Sequence, residues 1–161
     1  MIAIKIEVII MYKKIIVGID TSEHSKKALN KAIELTRRDN SDLFVFHSVL
    51  HKMSEIRPAL IGTLDMGGAI SYEIHQDTVK RANDLMKEVE EHLKKEQINA
   101  ETKLVYDLGP QYYIEEQVKE KNIDLVVLGS KGEHNMFTRT FIGTIPEHVI
   151  NHVNADVLVV K

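Results

Sequence analysis

Residues 123–132 read IDLVVLGSKG, and this stretch decides the fold. Ile123 to Leu128 is a short, almost unbroken aliphatic run, the pattern of a strand buried on both faces of a sheet. It empties into Gly129-Ser130-Lys131-Gly132, a polar turn rich in glycine. Two further runs of the same kind lie to either side in the chain: Lys14 to Asp20 (KIIVGID) and Ala155 to Val160 (ADVLVV). Strands buried on both faces call for helices above and below a parallel sheet.

The segments between the runs supply those helices. Thr21-Ser22-Glu23 offers a cap and a first-turn acid. Ala28, Leu29, Ala32, Ile33 and Leu35 then recur at helical spacing as far as Arg38, and Asp39 to Asp42 break the pattern. Leu43 to Val49 is a second strand. Glu73 to Glu96 is a long amphipathic helix with Val79, Ala82, Leu85, Met86, Val89 and Leu93 on its apolar stripe. Ala100 to Tyr106 is a third strand of alternating character. Gly109-Pro110 opens a third helix whose Ile114 and Val118 face inward, and Thr144 to Val153 forms the last one. Leu50 to Tyr72, with Pro58, Gly62, Gly67 and Gly68, reads as a long connection with at most a short helical piece. Connections of that length usually serve function. The expected fold is therefore α/β, a single open parallel sheet of the Rossmann-like kind. Ligands bind such sheets beyond the C-terminal strand ends, where the strand order reverses.

With 161 residues, one domain is expected, residues 11–161, preceded by a mostly aliphatic extension at 1–10. That extension is too short to cross a bilayer. It is either an extra strand, since Ile2, Ile4, Ile6 and Val8 alternate with other residues, or a loose tail ahead of Met11. The chain has no cysteine, which excludes disulfides and thiolate metal sites and fits a reducing, cytoplasmic setting. A net charge of -3 with no long run of like charges predicts neither a nucleic-acid nor a membrane partner.

Ten residues, Glu133 to Ile142, separate Gly132 from Gly143-Thr144 at the mouth of the last helix. By spacing alone two readings stand. The glycines are ordinary turn residues and Thr144, three residues before Glu147, is a capping-box cap. Alternatively, glycine backbone and free helix N–H groups together cradle a phosphate.

These segments together resemble the universal stress protein family. MYKKIIVGID resembles its opening strand, Phe46-His47-Ser48-Val49 the end of its second strand, and Gly109-Pro110 with Ile114 the entry to its third helix. DLVVLGSKG with Gly143-Thr144 resembles its nucleotide loop, Gly-x2-Gly-x9-Gly-Ser/Thr, and ADVLVVK its closing strand. The resemblance spans Met11 to Lys161. It implies a five-stranded parallel sheet of order 3-2-1-4-5, with ATP (or ADP or AMP) bound in one branch of the family and no nucleotide in another. Carried over by position, Ile19, Asp20 and Thr21 would sit near the adenosine and Ser48 beside the adenine. Leu128, Gly129, Lys131 and Gly132 would line the ribose and first phosphates. Gly143, Thr144 and Ile145 would hold the outer phosphates, with Mg2+ accompanying them. The family also implies a homodimer paired through the C-terminal strand, a regulatory stress-response role and an unknown protein partner.

Two departures stand out. The second gap holds ten residues rather than nine, and Pro146 removes one main-chain donor from the last helix's first turn. Both favour the alternative of a nucleotide-free homodimeric interaction protein. No residue offers itself as a general base, so at most slow ATP hydrolysis is expected and no catalytic residue is assigned. A nucleotidyl transferase is the third reading, and its signatures are missing. No Gly-x4-Gly-Lys-Ser/Thr loop or serine elbow is present, and Lys52-Met53-Ser54 lacks the rest of a synthetase signature. His148 and His152 share a helix face at a spacing that can bind zinc, but with no third ligand in view they read as surface residues.

Overall fold

In a computed structural model of the chain, the described residues are 11–50, 67–130 and 143–161, with the side chains of residues 67–75 excepted. The extension at 1–10, and the expectation attached to it, lies outside them. The elements run β1 (Lys14–Gly18), α1 (Glu23–Asp39), β2 (Asp42–Val49), α2 (Gly67–Lys95) and β3 (Ala100–Tyr106). α3 (Pro110–Lys121), β4 (Leu125–Gly129), α4 (Thr144–His152) and β5 (Asp156–Val160) follow. All five strands pair in parallel in the order β3-β2-β1-β4-β5, as expected.

The aliphatic runs explain this arrangement. Alternate residues of a strand point to opposite faces. Ile15, Val17, Leu125 and Val127 therefore meet α1 and α2 on one side, with Ala28, Leu29, Met86 and Leu93. Ile16, Val126 and Leu128 meet α3 and α4 on the other, with Ile114, Val118 and Val149. Each aliphatic side chain so buried contributes about 1.5–3 kcal/mol. β3 lies at the sheet edge and keeps the expected half-exposed alternation.

The largest departure from the expected boundaries is at α2. Helix α2 begins at Gly67, inside the segment read as a connection. Gly67 and Gly68 are helical rather than loop residues. Extending an existing helix needs no new nucleus, so two glycines at its start are tolerated at about 1 kcal/mol each.

Carboxylates fasten the N-terminal ends of the strands. Asp124 accepts the main-chain N–H of both Lys13 and Lys14 at 2.8 Å. Asp39, buried at the end of α1, takes a two-pronged ion pair from Arg38 (2.7 Å to each oxygen) and the N–H of Tyr12 (3.1 Å). Hydrogen bonding from Arg38 outweighs the burial that opposes it and holds this carboxyl below the usual range, with main-chain N–H groups assisting. α1 and α3 both end on asparagines in the left-handed region, Asn40 and Asn122, each at φ 53°. Asparagine is among the few residues that visit it readily.

Candidate functional site

The chain leaves β1 toward β2 on one side and β4 toward β5 on the other, so the strand order reverses between β1 and β4. Sheets of this kind receive ligands outside the strand ends at that point, which here is beyond Gly18 and Gly129.

On the β1 side, Ile19 is buried in the core, and its main chain does the work at the surface. Its N–H donates to the Phe46 carbonyl (2.9 Å). Its carbonyl accepts from the His47 imidazole (2.7 Å), which puts that ring's proton on Nδ1. Asp20 shapes the turn into α1. Its Oδ1 accepts from both the N–H (2.9 Å) and the hydroxyl (2.5 Å) of Ser22, while its own N–H donates to Ser25 Oγ (2.7 Å). Ser22, rather than Thr21, is the N-cap of α1 and accepts the Ser25 N–H. Thr21 stands exposed at the mouth. Ser48 closes the far side, its hydroxyl donating to the Leu108 carbonyl (2.5 Å) ahead of α3.

On the β4 side, the Leu128 side chain is buried against α3 and α4, so only its main chain faces the strand end. Gly129 packs on the first turn of α1. A β-carbon there would sit 2.8 Å from the His24 carbonyl carbon and 2.9 Å from the Ser25 nitrogen, closer than any side chain tolerates. Ser130 is buried and joins three elements. Its N–H donates to Val160 at the end of β5 (2.8 Å), and its carbonyl accepts the Gly143 N–H (2.8 Å). Its Oγ lies 2.6 Å from His24 Nδ1 in α1. Lys131 and Gly132 lie outside the described residues.

α4 starts one residue earlier than a Thr144 cap would place it. The N-cap is Gly143, without a side-chain hydrogen bond, and Thr144 is the first helical residue. The capping box of Thr144 and Glu147 is therefore not formed. The bond from Gly143 to Ser130 fixes where the helix begins, and the threonine hydroxyl is carried onto the helix surface. The Gly143 N–H is committed to that bond. Pro146, at the third helical position and buried, has none to give. First-turn N–H groups have no carbonyl of their own helix to bond, which leaves those of Thr144 and Ile145 and the Thr144 hydroxyl to meet an anion. Ile145 itself packs partly into the core.

A family model described as the universal stress protein family matches residues 11–161. The chain belongs to the universal stress protein family. Universal stress protein Sll1388 of Synechocystis sp. is 28% identical over 93% of this chain and 98% of its own length. Among solved structures, universal stress protein UspA from Lactobacillus plantarum superposes with a TM-score of 0.75 at 25% identity, covering 93% of this chain and 98% of that one. Two further universal stress proteins share the fold. One, solved in complex with cAMP, gives a TM-score of 0.56 at 24% identity over 93% of this chain and 97% of its own. Another, from Archaeoglobus fulgidus in complex with dAMP, gives 0.57 at 20% identity over 93% and 98%.

Sequence reasoning missed three partnerships in this universal stress protein. His24 and Ser130 meet across 106 positions, and nothing in either segment signals the bond before β1 and β4 are placed side by side. His148 bonds Glu115 of α3 (2.6 Å), and its ring lies edge-on to Tyr112. The same ring stacks on His152 at 4.0 Å, so only His152 is fully at the surface. Among the described residues there is no group of three or more side chains poised to hold a metal ion. No helix among them is long and apolar enough to cross a membrane.

Proposed function

We propose that this universal stress protein is a regulatory module that binds an adenine nucleotide, ATP or its shorter relatives ADP and AMP, in the crevice between β1 and β4. The observation that carries the reading is the bond from Gly143 to the Ser130 carbonyl, which holds the start of α4 against the exit of β4. It brings the helix's free donors and positive dipole end to the point where an α/β sheet receives phosphates. Two fold relatives solved with adenine nucleotides support the same choice of ligand. The adenosine would lie over Ile19 to Thr21 and Ser48, and the phosphates over Gly129 and the Thr144–Ile145 turn. Mg2+ would ride on the phosphates and water, as this cation commonly does. A cytoplasmic setting accords with the lack of cysteine.

Isothermal titration of the purified chain with ATP, ADP and AMP tests the reading. Saturable binding is expected, and none up to about millimolar ligand, a ceiling near 4 kcal/mol of binding energy, removes it. The nucleotide-free interaction module is the second reading, favoured by the donor that Pro146 lacks and the one that Gly143 has already spent. A thermal shift with ATP, with AMP and without ligand separates the two.

Homodimerisation belongs to the same proposal. β5 pairs only with β4 among the described residues, and Val157 to Val160 are each half-buried. An edge of this kind invites a twofold copy. Sedimentation at micromolar concentration should report a dimer, and a monomer would refute it.

A further inference from the structure

The joint at Ser130 reaches beyond the strand and helix it connects. Three of its groups bond to three different elements: the N–H to β5, the carbonyl to the N-cap of α4, and the hydroxyl to His24 in the first turn of α1. The first two are main-chain bonds available to any residue. The third depends on the hydroxyl and on a histidine at position 24. Ser130 is 2% exposed, so its hydroxyl has little access to water and the imidazole is its partner. Gly129, immediately before it, allows α1 to approach closely enough for the bond to form. The connections run in series from the first turn of α1 through Ser130 to Gly143 and so to the first turn of α4.

We propose that His24 and Ser130 form a positioning latch that sets where the first turn of α4 stands against the end of β4, and thereby tunes nucleotide affinity without His24 touching the ligand. The effect on affinity rests on the nucleotide reading above; the latch itself does not. When the hydroxyl bond is lost, the Ser130 carbonyl is freed to rotate, and its bond to the Gly143 N–H opens more often. The donors of Thr144 and Ile145 then have no fixed position, and the ligand must meet the cost of ordering them.

Asparagine places a polar atom close to where imidazole carries Nδ1, whereas alanine places none. The comparison is therefore wild type, His24→Ala, His24→Asn and Ser130→Ala. Amide hydrogen exchange is followed by two-dimensional NMR, and AMP and ATP affinities are measured by titration. In His24→Ala and Ser130→Ala, exchange at the Gly143 amide should quicken by roughly three- to tenfold, the worth of one ordinary hydrogen bond. Amides in the middle of β1, such as Ile16, should keep their rates. Nucleotide dissociation constants should rise by about the same factor, and His24→Asn should restore both. Unchanged exchange at Gly143 in His24→Ala overturns the latch. So does a uniform acceleration across β1 and α4, which marks a general loss of stability. If wild type binds no nucleotide, the functional reading falls while the Gly143 rate still decides the latch. If nucleotide binds and the Gly143 rate responds but affinity stays within about twofold, the influence on the ligand is refuted.

Discussion

Gly129→Ala is a sharp test of how the crevice is built. The new methyl would meet the His24 carbonyl carbon at 2.8 Å, the Ser25 nitrogen at 2.9 Å and the His24 β-carbon at 3.0 Å. Two of these are main-chain atoms, and ordinary carbon contacts begin near 3.5 Å. The end of β4 and the first turn of α1 must therefore part by roughly half an ångström or more. Overpacking of this kind costs about 1–3 kcal/mol. Replacing glycine also restricts the unfolded chain, which returns about 0.4–1 kcal/mol. A net loss of about 1–2 kcal/mol follows, or roughly 2–8 °C in Tm for a chain of this size. Gly18→Ala is the control. Its methyl would meet only side-chain ends, Phe46 Cζ at 3.1 Å and Leu128 Cδ2 at 3.3 Å, which can give a few tenths. It should therefore fall within about 1 kcal/mol of wild type. Urea unfolding reads both, as a shifted midpoint with unchanged slope. A Gly129→Ala midpoint equal to wild type, or one lying above that of Gly18→Ala, would refute the close approach of α1 to β4.

Two further outcomes concern the frame around the site. Because Asp39 is held below its unfolded value, its contribution to stability is complete above the ordinary carboxylate pKa of about 3.9. It is lost as pH falls through the lower folded value. The gap in urea midpoint between wild type and Asp39→Asn should therefore be full at neutral pH and narrow below about pH 4; a constant gap refutes the pairing with Arg38. At Asn122, φ is 53°. Asn122→Val should cost about 1–2 kcal/mol, and Asn122→Gly should be nearly neutral; equal urea midpoints for the two variants would contradict the left-handed cap.

The sheet was legible because β1 and β4 bury their aliphatic residues on both faces and show it as short aliphatic runs, while β3 shows its edge position by alternation. Pro110 and Ile114 marked α3 for equally local reasons. The start of α2 was obscured by Gly67 and Gly68, whose preference for turns yielded to a helix already under way. At α4, Thr144 and Glu147 have the right spacing for a cap, but a main-chain bond from Gly143 to distant Ser130 set the boundary instead. His24 with Ser130 and His148 with Glu115 depend on which strands and helices become neighbours, and no local pattern encodes that.

The bond between Ser130 and Gly143 also bears on the one-residue departure in spacing. It ties off residues 131–142 at their base, so the number of residues inside the tie does not reach the scaffold. Going from eleven such residues to twelve changes closure entropy by only about 0.1 kcal/mol, taking the logarithmic dependence on loop length. Insertions and deletions there are close to invisible to folding. Natural variation can thus lengthen, shorten or recharge residues 131–142 while the anchorage of their two ends on β4 and α4 stays in place.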